Sequence, residues 1–395
     1  MNIRLSRRVL QLEESATLAV GAKAAAMKAQ GVNVVSFGAG EPDFNTPENV
    51  REACKKALDA GYTKYATPSC GILAAREAIC GKFRRENGLE YKPSQVLIGV
   101  GGKEALFLAT MAVLDEGDEA ILPAPYWVSY PEQIKLAGAV PVIVQGRESN
   151  SFKLTAAEIE AAITPRTRVL IFNSPSNPGG FTYTPEEVRA IAEVVAGRDI
   201  LVFSDEMYDR LIYGNQRFMS FAAAGPRAYE QTLTFNAGSK TYSMTGWRIG
   251  YVAGPEEVIR QMAKLQSQTT SGTTTFGMHA LVEALNGPQD AVETMRREFE
   301  RRAEYMHRRL NAIRGVQCVP PTGAFYAFPN IAEAARNLGV SGSLAFAARV
   351  LEEAHVAVVP GSAFGCDDNV RLSFATGMDT IREGLDRLEK LLGSR

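Results

Sequence analysis

The sequence predicts an α/β protein: a large domain on a mostly parallel sheet, with a smaller α+β domain beside it. Two observations carry this. Between residues 96 and 253, short apolar runs alternate with segments of helical period, as in strands whose crossovers pass through helices. Beyond Pro255 the alternation gives way to a long charge-laced helical stretch and scattered short strands. In order, Val96–Val100 (VLIGV) reads as a strand that passes through Gly101-Gly102 into a helix over 103–114. Residues 120–122 form a strand entering the turn-rich Pro-Ala-Pro-Tyr-Trp segment, and 140–144, 169–172 and 200–203 are further strands. Between the last two lies a helix over 185–196, with Thr184 as N-cap and Pro185 in its first turn. Strands over 232–235 and 249–253 complete the sheet. The tail reads as helices over 256–266, 289–313 and 343–354, strands over 325–328, 356–359 and 370–374, and a closing amphipathic helix over 379–392. The expected division is a large domain over 47–290 and a small one formed by 1–46 and 291–395.

Composition excludes several classes of function. With Lys plus Arg at 43 and Asp plus Glu at 44, the net charge is -1, which argues against nucleic acid held by a bulk basic surface. At 395 residues the chain exceeds the comfortable size of a single core. Its five cysteines, with no C-x-x-C pair, fit reduced thiols in a cytoplasmic protein. The three histidines are far apart, so no His-rich metal site is expected. Residues 1–14 lack the uninterrupted apolar stretch of a secretory signal, and no apolar run is long enough for a bilayer.

In an open α/β sheet, ligands sit beyond the carboxyl ends of the strands, so the residues placed there are the candidates. Gly101-Gly102-Lys103 opens a helix after a strand; it reads as a phosphate cup or simply as a tight turn. Walker A spacing is absent, and Gly38-Ala39-Gly40 does not continue into a dinucleotide motif. Asp205 ends a buried strand and needs a cationic or protonated partner, a metal or a capping role; Tyr208 lies three residues on. Lys240, in a Gly/Ser loop after the strand over 232–235, is either a solvated surface lysine or one whose amine is desolvated into a nucleophile toward carbonyls. Arg248 can pair with an anion nearby, and Arg371 reads as a carboxylate clamp or an interdomain salt bridge. Asn177 and Trp127 follow other strands, the latter able to stack on a planar ring or to pack structurally. Each has an ordinary structural reading alone; their common placement points to one site.

Three blocks, Ser-Lys-Thr-Tyr-Ser-Met-Thr-Gly-Trp-Arg-Ile-Gly-Tyr around Lys240, Ser-Asp-Glu-Met-Tyr around Asp205 and Asn-Ser-Pro-Ser-Asn-Pro around Asn177, resemble the class I aminotransferases that use pyridoxal 5′-phosphate (PLP). The resemblance runs from Ser6 to Ala375 and is nearest to the bacterial aspartate and aspartate/prephenate branch. It implies the type I PLP-dependent transferase fold, with Lys240 holding PLP covalently and then moving a proton. By the same resemblance Asp205 would keep the ring nitrogen protonated, and Tyr208 and Asn177 would bond the ring's phenolic oxygen. Trp127 would stack on the ring, while Gly102, Lys103, Ser239 and Arg248 would bind the phosphate. Tyr65 would reach the cofactor of a second subunit, implying a homodimer with shared sites. Arg371, with the Gly40 backbone, Asn177 and Trp127, would bind the substrate α-carboxylate side. Lys103 would meet a distal carboxylate, and the segment Ser15-Ala-Thr17 would close over the site. The implied reaction is aspartate plus 2-oxoglutarate giving oxaloacetate plus glutamate. Prephenate or aromatic transamination, or a β-lyase outcome, stands as the alternative. Two departures are Pro178-Gly179-Gly180 in place of Pro-Thr-Gly, and Ala237 where some relatives carry a phosphate-binding serine.

Overall fold

A seven-stranded sheet lies at the centre of the computed structural model, which describes residues 3–14 and 16–394. In chain order the strands are β1 Val35–Ser36, β2 Val96–Val100, β3 Glu119–Ala124, β4 Val140–Gln145, β5 Thr167–Asn173, β6 Leu201–Asp205, β7 Thr232–Ala237, β8 Ile249–Ala253, β9 Tyr326–Ala327, β10 Val356–Ala357, β11 Val359–Pro360 and β12 Val370–Ser373. The large sheet has the order β2-β8-β7-β6-β5-β3-β4. Its neighbours are parallel except that β8 opposes both β2 and β7.

Side-chain alternation sorts the two faces of this sheet. Ala120, Leu122, Val169, Ile171 and Phe203 pack with Leu106, Ile134 and Met262 from the helices Gly101–Val113, Ser129–Leu136 and Glu256–Ser267. Their chain neighbours Ile121, Leu170, Phe172 and Val202 pack instead with Ile159, Val188 and Ile191 from the helices Ala156–Ala162 and Pro185–Val195. Because helices cover both faces, these strands read as near-continuous apolar runs. Each large aliphatic side chain so buried contributes about 1.5–3 kcal/mol.

The helix at Pro185 starts as its sequence dictates: Thr184 accepts from the Glu187 N–H, and Glu187 returns a bond to the Thr184 N–H at 2.7 Å. This reciprocal pair satisfies two groups that no helix can satisfy internally. In the tail, the expected strand over 356–359 is two separate pieces. β10 pairs in parallel with β1, while β11 pairs antiparallel with β12, which in turn pairs with β9. A single run of five residues, 356–360, thus serves two sheets, and β1 stitches the N-terminal segment to the C-terminal part. Among the described residues no helix is long and apolar enough to cross a membrane. All five cysteines are free.

Candidate active site

Parallel strands deliver their carboxyl ends to one edge of the sheet, and chemistry-bearing residues collect there. β2 ends at Gly101-Gly102-Lys103, β6 at Asp205, and β7 at Gly238-Ser239-Lys240. β3 and β5 lead into Trp127 and Asn177. β8 runs the other way, so its first residues lie at this same edge and place Arg248 beside Gly101. Arg248 itself has φ +57 and donates to the Thr245 carbonyl at 2.8 Å. Gly102, Lys103, Trp127, Asn177, Asp205, Tyr208, Ser239, Lys240, Arg248, Gly40, Thr17 and Arg371 all line one cavity of about 430 Å³. Tyr65 is not among its walls: it is 87 % exposed and lies with Lys64 and the segment 270–276. Ser15 lies outside the described residues.

The glycines are there for close approach. A Cβ on Gly250 would overlap the Gly102 backbone, so β8 can carry the helix start Gly101–Gly102 against it only without a side chain. Gly101 adopts φ +76, a turn that favours glycine. The first-turn N–H groups of the helix Gly101–Val113 have no intrahelical acceptors and point with the positive end of the helix dipole, which suits a phosphate. In the departure Pro178-Gly179-Gly180, Gly180 is the more constrained by backbone: its φ is +67 and a Cβ there would overlap the Tyr326 carbonyl oxygen, whereas one on Gly179 would meet only the Phe181 ring and the Ser176 hydroxyl.

Electrostatics set the acid and the base. Asp205 is 4 % exposed; burial pushes its carboxyl up to about 6, against which a bond from the Tyr130 hydroxyl at 2.5 Å and one from the Met207 N–H at 3.2 Å favour the charged form. Tyr130 escaped the sequence reading, since its only signal is a spacing of three from Trp127 on the helix Ser129–Leu136. Replacing Tyr130 by Phe removes a donor to the carboxylate. Asp205 should then titrate about one unit higher, following the ~1–1.5 kcal/mol such a bond contributes. Carboxyl-labelled NMR of the cofactor-free protein reads this directly, and an unmoved midpoint would count against the contact.

Lys240 is desolvated, which draws its amine down to about 8 although the carboxylate of Glu41 pulls the other way. Its Nζ donates to the Gly40 carbonyl. Lys103 is likewise drawn below its ordinary value, by burial of its amine and then by Arg248, and its Nζ sits 4.9 Å from the Trp127 ring centre.

Arg371 is 2 % exposed and faces no carboxylate among the described residues. One Nη donates to Asn177 Oδ1 and the other to the Gly38 carbonyl, both at 3.0 Å, and Nε has no partner. The guanidinium lies over the Tyr326 ring at 4.6 Å, and the Tyr326 hydroxyl meets that of Tyr208 at 3.0 Å. Tyr326 was also missed, because in sequence it is one aromatic in a short strand. Asn173 was a third. Its Nδ2 donates to the Asp205 carbonyl at 3.1 Å and its Oδ1 accepts from the Asn177 N–H at 2.9 Å, joining the ends of two strands.

These groups fit PLP. The cavity offers a nucleophilic amine, a buried acid for a ring N–H, an indole for stacking and a cup of N–H groups for a phosphate. It also holds a buried guanidinium with an unused donor, as a substrate carboxylate requires.

Comparison with known proteins gives the family. Residues 32–388 match the family model described as aminotransferase class I and II. Over the full length of both chains, the sequence is 49% identical to an aspartate aminotransferase of Geobacillus stearothermophilus. It is 47% identical to an aspartate/prephenate aminotransferase of Cereibacter sphaeroides, with 98% of each chain covered. The crystal structure of the aspartate aminotransferase from Rhizobium meliloti superposes with a TM-score of 0.95 at 42% identity, covering 100% of both chains. The Thermus thermophilus aspartate aminotransferase solved with maleate gives 0.93 at 44% identity, covering 99% of this chain and 100% of that one.

Proposed function

Because the chain belongs to the class I and II aminotransferases, we propose that it transfers the amino group of aspartate to 2-oxoglutarate with PLP as cofactor. The observation that carries the substrate is the pairing of two cations in one cavity: Arg371, buried with an unused Nε, and Lys103, unpaired among the described residues. Two carboxylates on a short chain are what such a pair receives.

When bound, PLP supplies an electron-withdrawing ring that stabilises negative charge at the substrate α-carbon. The protein's own residues do the rest. Lys240, with its amine near 8, is neutral in a useful fraction at physiological pH and can take and return a proton at Nζ. Asp205, whose carboxylate burial has made a stronger base, would hold the ring nitrogen's proton. Arg371 fixes the α-carboxylate, Trp127 offers a ring face, and the Gly102–Lys103 helix start with Ser239 and Arg248 receives the phosphate. Arg371 sits on β12 and Lys240 after β7, so a substrate that engages both draws the proposed small and large domains together and excludes water. The exposed Tyr65, flanked by exposed Tyr62, Leu58 and Leu73, supports a homodimer in which this tyrosine reaches the partner's cofactor. Reduced cysteines fit a cytoplasmic setting.

Oxaloacetate release from aspartate and 2-oxoglutarate, followed by NADH oxidation in a malate dehydrogenase coupled assay, tests the reading; no PLP-dependent product would end it. Lys103→Ala should raise KM for aspartate about 10- to 100-fold while leaving alanine, which has no distal carboxylate, within twofold. An unchanged preference would remove the dicarboxylate assignment. A second cavity of about 850 Å³ shares Lys103, Val128 and Arg248 with the site and is also lined by Glu13, Glu14, Glu104 and Glu132; it gives room beside Lys103 for a substrate whose ring lies beyond its two carboxylates. Prephenate is therefore the second reading, decided by using it as the sole amino acceptor.

A further inference from the structure

The segment 37–46 crosses the site between the two parts of the molecule, and it is fastened on both sides. Toward the lysine loop, Lys240 donates to the Gly40 carbonyl, the Thr245 hydroxyl to Glu41 at 2.7 Å, and the Thr46 hydroxyl to the Ser243 carbonyl at 2.7 Å. The Trp247 indole N–H closes on Thr46 Oγ1 at 3.0 Å. Toward the C-terminal part, the Ser373 N–H donates to the Phe37 carbonyl at 2.8 Å and Arg371 to the Gly38 carbonyl. Two of these carbonyls thus hold the two groups that matter most, the Lys240 amine and the Arg371 guanidinium.

What fixes the middle of the segment is a charge far from it in sequence. Arg302, on the helix Asp290–Ala312, is 5 % exposed. Its Nη1 donates to Asp43 Oδ1 at 2.7 Å and to the Phe374 carbonyl at 3.4 Å, and its Nε to Glu298 at 2.8 Å. The guanidinium carbon lies 5.2 Å from the Phe44 ring centre and 5.5 Å from that of Phe299. Asp43 is three residues from Gly40, and Phe374 three from Arg371. One buried side chain therefore grips the loop beside the lysine's acceptor and the strand end beside the carboxylate clamp.

We propose that Arg302 is a positioning residue: through Asp43 and the Phe374 carbonyl it fixes the segment 37–46 so that the Gly38 and Gly40 carbonyls hold Arg371 and Lys240 in register for the substrate. The planar fork is what serves here, because it bonds three oxygens from three segments while lying beside the edge-to-face pair Phe44–Phe299; a lysine ammonium cannot reproduce that geometry. The inference rests on the aminotransferase reading above and adds a residue to it.

The test compares Asp43→Asn, Arg302→Met and the double variant as PLP-loaded enzymes with aspartate. Asp43→Asn is isosteric and at a partly exposed site, so it keeps the question answerable if Arg302→Met folds poorly. Each single variant should raise KM for aspartate about 10-fold, with kcat within threefold. The dissociation constant of an unreactive dicarboxylate, read from the absorbance of the bound cofactor, should rise in parallel. The double variant should show no more than the larger single effect, since both substitutions break one unit. Arg302→Lys should recover only part of the loss. Additive effects in the double variant, or KM and inhibitor binding within twofold in Asp43→Asn, would overturn the proposal. The parent enzyme separates the two claims: if it shows no PLP-dependent turnover the underlying reading fails, whereas normal parental turnover with unaltered variants sinks only the role of Arg302.

Discussion

Lys240→Ala is expected to leave a folded protein that borohydride cannot tether to PLP and whose transamination falls by on the order of 10⁵-fold, the scale at which removing a covalent catalytic group is felt. The loss should be in kcat, because Arg371, Lys103 and the phosphate cup remain to bind substrate and cofactor. The same residue governs a pH effect on stability. In the cofactor-free protein the folded amine gives up its proton near 8, whereas an unfolded chain keeps it to the ordinary 10.5. Between those values the unfolded state binds more protons, so stability rises with pH across the window, by about 3 kcal/mol in all. Below about pH 8 both states are protonated and the cost of burying the charge is felt in full. Urea unfolding from pH 7 to 10.5 should show that rise in the parent and not in Lys240→Ala. Equal slopes would mean that the amine is not desolvated, and the nucleophile would have to be sought elsewhere.

Arg371→Leu is the second large effect. A buried guanidinium that, among the described residues, meets two neutral acceptors and has a donor to spare is held ready for an anion, and truncating one partner of a buried charged pair costs about 2–5 kcal/mol. kcat/KM should fall about 30- to several thousand-fold for every amino acid, aspartate and alanine alike, since all share the α-carboxylate. Stability should respond quite differently. Leucine relieves the burial of an uncompensated cation but strands the Asn177 and Gly38 oxygens, and these opposing terms leave the thermal midpoint of the cofactor-free protein within a few degrees. Activity lost at a nearly unchanged midpoint identifies a group kept for binding. A midpoint drop of 10 °C or more with KM unchanged would instead make Arg371 a structural residue.

The two tests probe different ends of the same cavity, and they show which parts of the site the chain announces. Lys240, Asp205, Asn177 and the Gly101-Gly102-Lys103 start each stand just after an apolar run, so the rule that ligands gather at strand ends finds them without coordinates. Tyr130, Tyr326 and Asn173 could not be found that way. Tyr130 matters only because folding brings its hydroxyl to the Asp205 carboxylate at the end of β6, and Tyr326 only because a strand from the C-terminal part comes to rest beside Arg371. Arg302 is a sharper case: the spacing Val292, Met295, Phe299, Met306, Leu310 places it on the apolar face of its long helix, but nothing in the sequence says which distant carboxylate it meets there.

What the chain determines alone is whatever depends on short-range periodicity and local chemistry. The alternation of apolar runs with helical segments specifies the sheet, Thr184 and Glu187 specify a helix start, and the glycines specify where backbone must come close. The tertiary structure alone decides the direction of β8, which brings Arg248 to the same edge as Gly101. It also decides the division of residues 356–360 between two sheets, and the pairing of Asp43 with Arg302 across 259 positions. These outcomes turn on which distant surfaces meet. A desolvated charge or an orphaned donor acquires its energy from groups that the chain brings near only after it has folded.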